Sequence, residues 1–284
     1  MKGQTQNVHV RITAKQKAFE LNLKEVWQYR DLIMLFAKTK FELAYKQTVL
    51  GPLWAFINPL LTSVVFSVVF GYIARIDTAG VPHILFYLCS NALWQFFAGC
   101  VDENALTFTS NADLFGKVYF PRLTVPVSAM LARIFKYVLQ MSAALFVLFF
   151  YVIKGAVHPL WPCWLLLPVI LVWLGIMGSS VGVIVSSLTT KYRDLVMLVG
   201  FGVMLWMYVS PVVYPVSQLE QRAYAGLIML NPVTAPIELF RRILLGSGQV
   251  MVGGLIYSAV LTTVMALAAV VIFNRVEKTF MDTV

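Results

Sequence analysis

The 284 residues are 60% hydrophobic and 12% charged, about half the ~25% charge of soluble domains; this excludes a water-soluble globular fold, because no single core needs so much apolar surface and lipid must cover the rest. A formal net charge of +9 would point to nucleic acid in a soluble protein, but here its placement gives a membrane account, with no nucleic-acid partner. Nine of the 22 Lys and Arg residues (Lys2, Arg11, Lys15, Lys17, Lys24, Arg30, Lys38, Lys40 and Lys46) precede the first long apolar run, the bias that keeps an N-terminus in the cytoplasm.

In chain order, residues 1–22 read as a polar cytoplasmic extension, too long and polar to be a cleavable signal peptide. Residues 23–284 read as a single transmembrane domain. Within it, residues 23–47 predict an amphipathic helix with Tyr29, Leu32, Ile33, Phe36 and Leu43 on one face. Lys38 and Glu42 lie opposite, and Lys40 interrupts the apolar stripe. Such a helix lies in the membrane interface with its basic residues toward anionic lipid. Gly51-Pro52 then turns the chain into the bilayer, since Pro suits a first helical turn.

About 20 apolar residues cross a ~30 Å hydrocarbon core, and six spans fit, at about 53–74, 83–101, 125–153, 164–188, 195–214 and 251–273. Asn58-Pro59 is expected to loosen or kink the first span. Gly178 and Gly182 in the fourth are expected to permit close helix packing. Six spans put both termini on one side. The resulting cytoplasmic segments hold fifteen basic residues, or seventeen with Arg133 and Lys136 in the third span, and the outer segments hold five. That agrees with cytoplasmic termini. Cys89, Cys100 and Cys163 are widely spaced, form no metal motif, and read as small apolar residues of membrane helices.

Two connections do not read as simple loops. The cytoplasmic segment 102–122 carries Leu114-Phe115-Gly116-Lys117-Val118-Tyr119-Phe120-Pro121-Arg122. Its large apolar residues need a cover, and a protein partner suits them better than interfacial lipid, because aromatics and Arg favour interfaces. The stretch of about 40 residues after Ser210 contains Pro211, Pro215, Pro232 and Pro236, with a polar break at 218–222. It predicts two short re-entrant helices on the outer side, tolerated at that depth only when buried in protein or lining a cavity. Pro211, Pro215, Asn231, Pro232, Glu238 and Arg242 mark this candidate outer gate. Glu238 and Arg242, at i,i+4, are expected to brace each other.

The run Tyr45-Lys46-Gln47-Thr48-Val49-Leu50-Gly51-Pro52-Leu53-Trp54 resembles the start of the first span in the ABC-2 type permeases. It is most similar to those that export O-antigen and related lipid-linked polysaccharides (the Wzm type). Lys117-Val118-Tyr119-Phe120-Pro121-Arg122 resembles the family's first cytoplasmic loop, Tyr192-Arg193-Asp194 its second, Ser210-Pro211-Val212-Val213-Tyr214-Pro215 the end of its fifth span, and Asn231-Pro232 its outer loop. The resemblance covers nearly the whole chain, from about Leu23 to Asp282, apart from the N-terminal extension.

It implies an all-α, type V exporter-like ABC-2 fold in a bacterial inner membrane. It also implies a homodimer joined to two copies of a separate ABC ATPase, which holds ATP and Mg. No G-x-x-x-x-G-K-[ST] loop occurs in this sequence, so a transport subunit without its own nucleotide cofactor is expected. By the same resemblance, the interfacial helix and Asp113, Leu114, Phe115, Lys117, Tyr119, Phe120 and Arg122 receive the ATPase stroke, with Tyr192, Arg193 and Asp194 nearby. The first and fifth spans would then surround the channel.

A lipid-linked polysaccharide is a hydroxyl-rich polymer with apolar C–H faces, so its path calls for aromatic platforms and hydrogen-bonding groups. Trp54, Phe66, Phe70 and Tyr72 in the first span, and Trp206, Tyr208 and Tyr214 at the fifth, are the channel candidates. Aromatics near helix ends also mark the headgroup belt. Trp27, Trp161 and Trp164 fit that belt; Trp54, Trp206 and Tyr214 fit belt or channel equally, and Phe66 and Phe70 also fit packing. Arg133 and Lys136 are expected to pair with Asp102 or Glu103, or to meet lipid phosphate, in preference to a substrate pyrophosphate. An ion-driven flippase would need an acidic residue near mid-membrane, which no span has. A membrane glycosyltransferase would need converging carboxylates, and 102–113 holds the only group. Teichoic acid, capsule or small-molecule cargo would keep the family and change the substrate.

Overall fold

The computed structural model describes residues 23–118, 120–189, 194–218 and 225–281; the expectations for residues 1–22, Tyr119, Tyr192 and Arg193 fall outside them. Among the described residues the chain is helical, without strands. The N-terminal helix comes in two pieces, α1 (Leu23–Gln28) and α2 (Arg30–Tyr45), parted at Tyr29. Gly51, with φ +53°, leads into a 3-10 turn and then α3 (Trp54–Phe66). The helix runs on through Pro59, where Ser63 donates its hydroxyl to the Pro59 carbonyl at 2.6 Å, and widens into a π-helical stretch, Ser67–Ile73. There a Cβ on Gly71 would come within 2.5 Å of the His83 ring.

α4 (His83–Ala105), α5 (Thr107–Ser110), α6 (Ala112–Lys117) and α7 (Thr124–Ile153) follow. A 3-10 segment, Trp161–Leu166, opens α8 (Leu167–Thr189), and α9 covers Leu195–Val209. Two short helices, α10 (Ala225–Met229) and α11 (Thr234–Leu245), precede α12 (Val252–Met281). Among the described residues, five segments are long and apolar enough to cross a membrane: Gly51–Ile73, His83–Ala105, Thr124–Ile153, Trp161–Thr189 and Val252–Val276. α9, with 15 residues, would reach only about 22 Å at 1.5 Å per residue. The apolar run to Tyr214 overstates this helix for a local reason. Pro211 disfavours helical geometry in the residue before it, and Ser210 is extended, with ψ 150°.

α4 is the buried axis, with α3, α7, α8 and α9 packed around it. Gly178 and Gly182 permit the closest approach, as expected. A Cβ on Gly182 would meet the Val101 carbonyl oxygen at 2.5 Å, and one on Gly178 that of Phe97 at 2.8 Å. Small residues substitute for a hydrophobic driving force where lipid is the solvent. Polar ties close the same seam: Asn104 of α4 donates to Ser179 Oγ of α8 at 3.2 Å, and Thr189 of α8 to the Ala105 carbonyl at 2.9 Å. α12 packs on α8, joined by Trp173 Nε1–H to Thr262 Oγ1 at 3.0 Å. The outside of the bundle is the reverse of a soluble surface: Phe146, Leu165 and Met197 are 80%, 84% and 83% exposed.

Candidate functional site

The proline-rich segment after α9 folds back onto the bundle and is held by one buried carboxylate. The periodicity of α11 places Ile237, Phe240 and Leu244 inward, and Glu238 and Arg241 are carried in with them. Both are buried, at 0% and 1% exposure. Arg241 donates to Glu238 Oε1, and its guanidinium carbon lies 4.7 Å from the centre of the Phe86 ring on α4. The same Oε1 accepts the Val216 N–H at 3.1 Å, and Oε2 accepts the Gln249 N–H at 3.0 Å. Arg241 also donates to the Tyr214 carbonyl at 3.4 Å. One side chain therefore ties the segment leaving α9 to the segment entering α12.

This corrects the expected Glu238–Arg242 brace. Arg242 is exposed and donates to the Gly246 carbonyl at 3.1 Å, capping the end of α11. Gly246 itself has φ +72°, the left-handed turn that ends helices. Both i,i+3 and i,i+4 spacings bring side chains together; the apolar stripe of α11, itself visible in the sequence, selects Arg241.

Asn231 provides a second tie. Its side-chain amide donates to Ser210 Oγ at 2.8 Å, while its oxygen accepts Trp206 Nε1–H at 3.1 Å and Val233 N–H at 3.2 Å. Ser258 of α12 donates to the Pro232 carbonyl at 2.6 Å. Pro211 and Pro215 are buried.

The channel candidates divide into packed and open groups. Phe66 and Phe70 lie 5.4 Å apart and face Tyr87 at 6.0 and 6.4 Å, so packing accounts for them. Trp206 rests against Trp94 and Phe97 at 6.3 and 5.2 Å and belongs to the Asn231 tie. Tyr214 donates its hydroxyl to the Tyr208 carbonyl at 3.1 Å. Trp54, Tyr72 and Tyr208 stand open, at 40%, 70% and 44% exposure.

At the other end of the bundle, the connection between α4 and α7 is covered mainly by its own chain. Phe115 and Phe120 are buried, 6.0 Å apart. Phe36 of α2 meets Phe120 at 5.8 Å, and Phe108 joins Phe115 at 6.2 Å and Phe273 of α12 at 4.9 Å. Arg122 lies over the Phe115 ring at 5.3 Å. The partner expected to cover these rings is therefore not required by them. Asp113, Lys117, Val118 and, beyond α8, Asp194 remain exposed, with Leu114 half-buried.

A family model described as "ABC-2 type transporter" matches residues 31–245. Two proteins of Klebsiella pneumoniae, each named O-antigen export system permease protein RfbA, are 26% and 25% identical over 257 and 255 residues, 89% of this chain and 94% of theirs. A Myxococcus xanthus protein of the same name is 25% identical over 266 residues, 92% of this chain and 98% of its own.

Proposed function

The chain belongs to the ABC-2 type transporter family, and from that premise we propose that it is the channel-forming membrane subunit of an ATP-driven exporter carrying a lipid-linked, O-antigen-like polysaccharide from cytoplasm to periplasm. The carrying observation is the near end-to-end similarity to O-antigen export permeases, over 89% and 92% of this chain. α9 serves as the fifth of six spans, completed by the tied segment after it, and both termini are cytoplasmic in a bacterial inner membrane. Residues 1–22 precede the single transmembrane domain. α1 and α2 lie at the inner interface, and α10 and α11 re-enter from the outer side.

Two copies join two ABC ATPase subunits, which supply ATP and Mg. The stroke arrives at Asp113, Lys117, Val118 and Asp194, exposed on one connection or beside it, with Tyr119, Tyr192 and Arg193 their neighbours in sequence. Phe115 and Phe120 pass it on, because Phe120 touches Phe36 of α2, Phe115 packs on Phe120, and the cluster reaches α12. α3 and α9, both seated on α4, part from their counterparts in the second copy, and the glycan passes Trp54, Tyr72 and Tyr208. The outer segment yields as one body, because Glu238 ties both of its ends.

Gentle detergent purification of the tagged chain from its native membranes tests this reading. An equimolar partner with a Walker A loop and ATPase activity is expected. A homo-oligomer free of any ATPase, under conditions that keep other ABC exporters intact, would overturn it.

A further inference from the structure

Charged side chains converge where α2 packs on α7, beside the end of α4 that pairs with α7. Arg133 of α7 pairs with Glu103 of α4 at 2.5 Å, and its guanidinium presses so closely on α4 that a Cβ at Gly99 would come within 2.5 Å of it. Phe41 docks α2 on α7 through Phe135 at 6.2 Å and stacks edge-on with Tyr45 at 5.1 Å. That docking carries Lys40, the residue that interrupts the apolar stripe, into electrostatic range of Glu103 and Arg133. Lys136, one turn beyond Arg133, lies within electrostatic range of the same two groups, as does Asp102.

Lys40, Arg133 and Lys136 therefore stand against Asp102 and Glu103, and the closest pairing is already made between Arg133 and Glu103. Lys40 and Lys136 are half-buried, and neither makes an ion pair or hydrogen bond with any described residue. The Tyr45 hydroxyl, in range of Arg133, is buried without a hydrogen-bond partner among the described residues, and so is Glu103 Oε2. Burial pushes the Lys40 pKa below its ordinary value; Glu103 opposes the shift and Arg133 adds to it. An ammonium withdrawn from water without a counter-ion is costly. α2 buries Ile33 and Ala37 yet leaves Met34, Leu35 and Leu43 51%, 58% and 59% exposed, so it has apolar flanks toward both protein and lipid.

We propose that Lys40, Lys136 and the Tyr45 hydroxyl form a binding site for the phosphate of a membrane lipid at the inner headgroup level. The cations and the hydroxyl are donors for phosphate oxygens, and the lipid chain runs along the exposed flank of α2. A bulk anionic phospholipid and the phosphate of a polyprenyl-linked glycan present the same chemistry there. The inference rests on the membrane placement given above and not on the cargo.

The test is native mass spectrometry of the full purified chain, titrated with phosphatidylglycerol, a polyprenyl phosphate, or diacylglycerol as the phosphate-free control. The chain is expected to retain phosphate lipids in preference to diacylglycerol. Lys40→Gln with Lys136→Gln lowers that retention about thirtyfold, at about fivefold per basic residue near the surface. The corresponding pair of Arg substitutions keeps most of it. Lys38→Gln, which removes an exposed lysine 3.9 Å from Glu42, leaves it unchanged. Loss confined to the polyprenyl phosphate assigns the site to the lipid-linked substrate; loss of both assigns it to bulk phospholipid. Equal retention by the unaltered chain and the Gln pair overturns the site. Amine acylation of the unaltered chain needs no variant to fold: bound phosphate lipid slows labelling of Lys40 and Lys136 but not Lys38, and absence of protection also overturns it. No ATPase or glycan enters either measurement, so failure of the exporter reading would leave the result standing.

Discussion

The segment from Ser210 to Gln249, outer in the proposed topology, and the connection from Leu106 to Arg122 both join longer helices through short ones, but they are held by opposite kinds of contact. The outer one hangs on directional bonds to two polar side chains, Glu238 and Asn231. The other rests on rings, Phe36, Phe108, Phe115, Phe120 and Phe273, with centroids 4.9 to 6.2 Å apart. A buried polar network is stable when every member is satisfied and fails as a unit when one is lost. Ring contacts tolerate many offsets at small cost. The first construction suits an element with discrete closed and open positions; the second suits one that must pass on a displacement without breaking.

The largest effect expected from breaking this comparison comes from an isosteric change. Glu238→Gln keeps the shape of the side chain, but its amide end cannot accept bonds at both termini and leaves Arg241 buried without a counter-charge. The expected cost is about 3 to 5 kcal/mol, read as a fall in the unfolding midpoint of the detergent-solubilised protein. Glu238→Leu combined with Arg241→Met should recover most of it, because an apolar pair replaces a buried ion pair at little cost. A loss below about 1 kcal/mol, the range of exposed pairs, would mean the network is solvated and would remove the contrast.

Asn231→Ala sharpens the comparison within the outer segment. It takes away bonds to Trp206, Val233 and Ser210 and leaves the half-buried Trp206 indole N–H without its acceptor, for an expected cost of about 2 kcal/mol. Tryptophan fluorescence should shift with it, as Trp206 loses its partner. Phe120→Leu tests the other side: the ring cluster should repack for about 1 kcal/mol, and a cost equal to that of Glu238→Gln would show that the rings are as exacting as the polar bonds.

Much of this was legible in the sequence where the signal is local. Apolar run length located the helices at 83, 125, 164 and 251 to within a few residues, and the glycines at 178 and 182 announced a close helix seam. Arg133 met one of its expected acidic partners, Glu103. The misses share a cause. The apolar run to Tyr214 says nothing of the backbone, and Pro211 ended α9 early through Ser210. Glu238 had two arginines within reach, and only the buried stripe of α11 distinguishes them. Phe115 and Phe120 are covered by Phe36 and by a cluster that includes Phe273 near the other end of the chain, a pairing that no local pattern encodes. The polar ties of Asn231 arise from the same long-range folding.

The smallest expected effect on stability is also the most informative about the ring-packed connection. Lys117 and Val118 lie at its exposed edge, Val118 at 55% exposure, beside rings that are buried. Lys117→Ala with Val118→Ser removes a charge and an apolar contact surface while leaving Phe115 and Phe120 in place, so the unfolding midpoint should move by no more than about 0.5 kcal/mol equivalent. If the stroke enters here, ATP hydrolysis by the assembled complex should persist while glycan export falls. If both stay unchanged, force enters elsewhere and the rings serve only to close the bundle. If Phe120→Leu impairs export more than this exposed pair does, the rings are themselves the receiving surface, and the deformable packing that distinguishes this connection from the outer segment is part of the transport stroke.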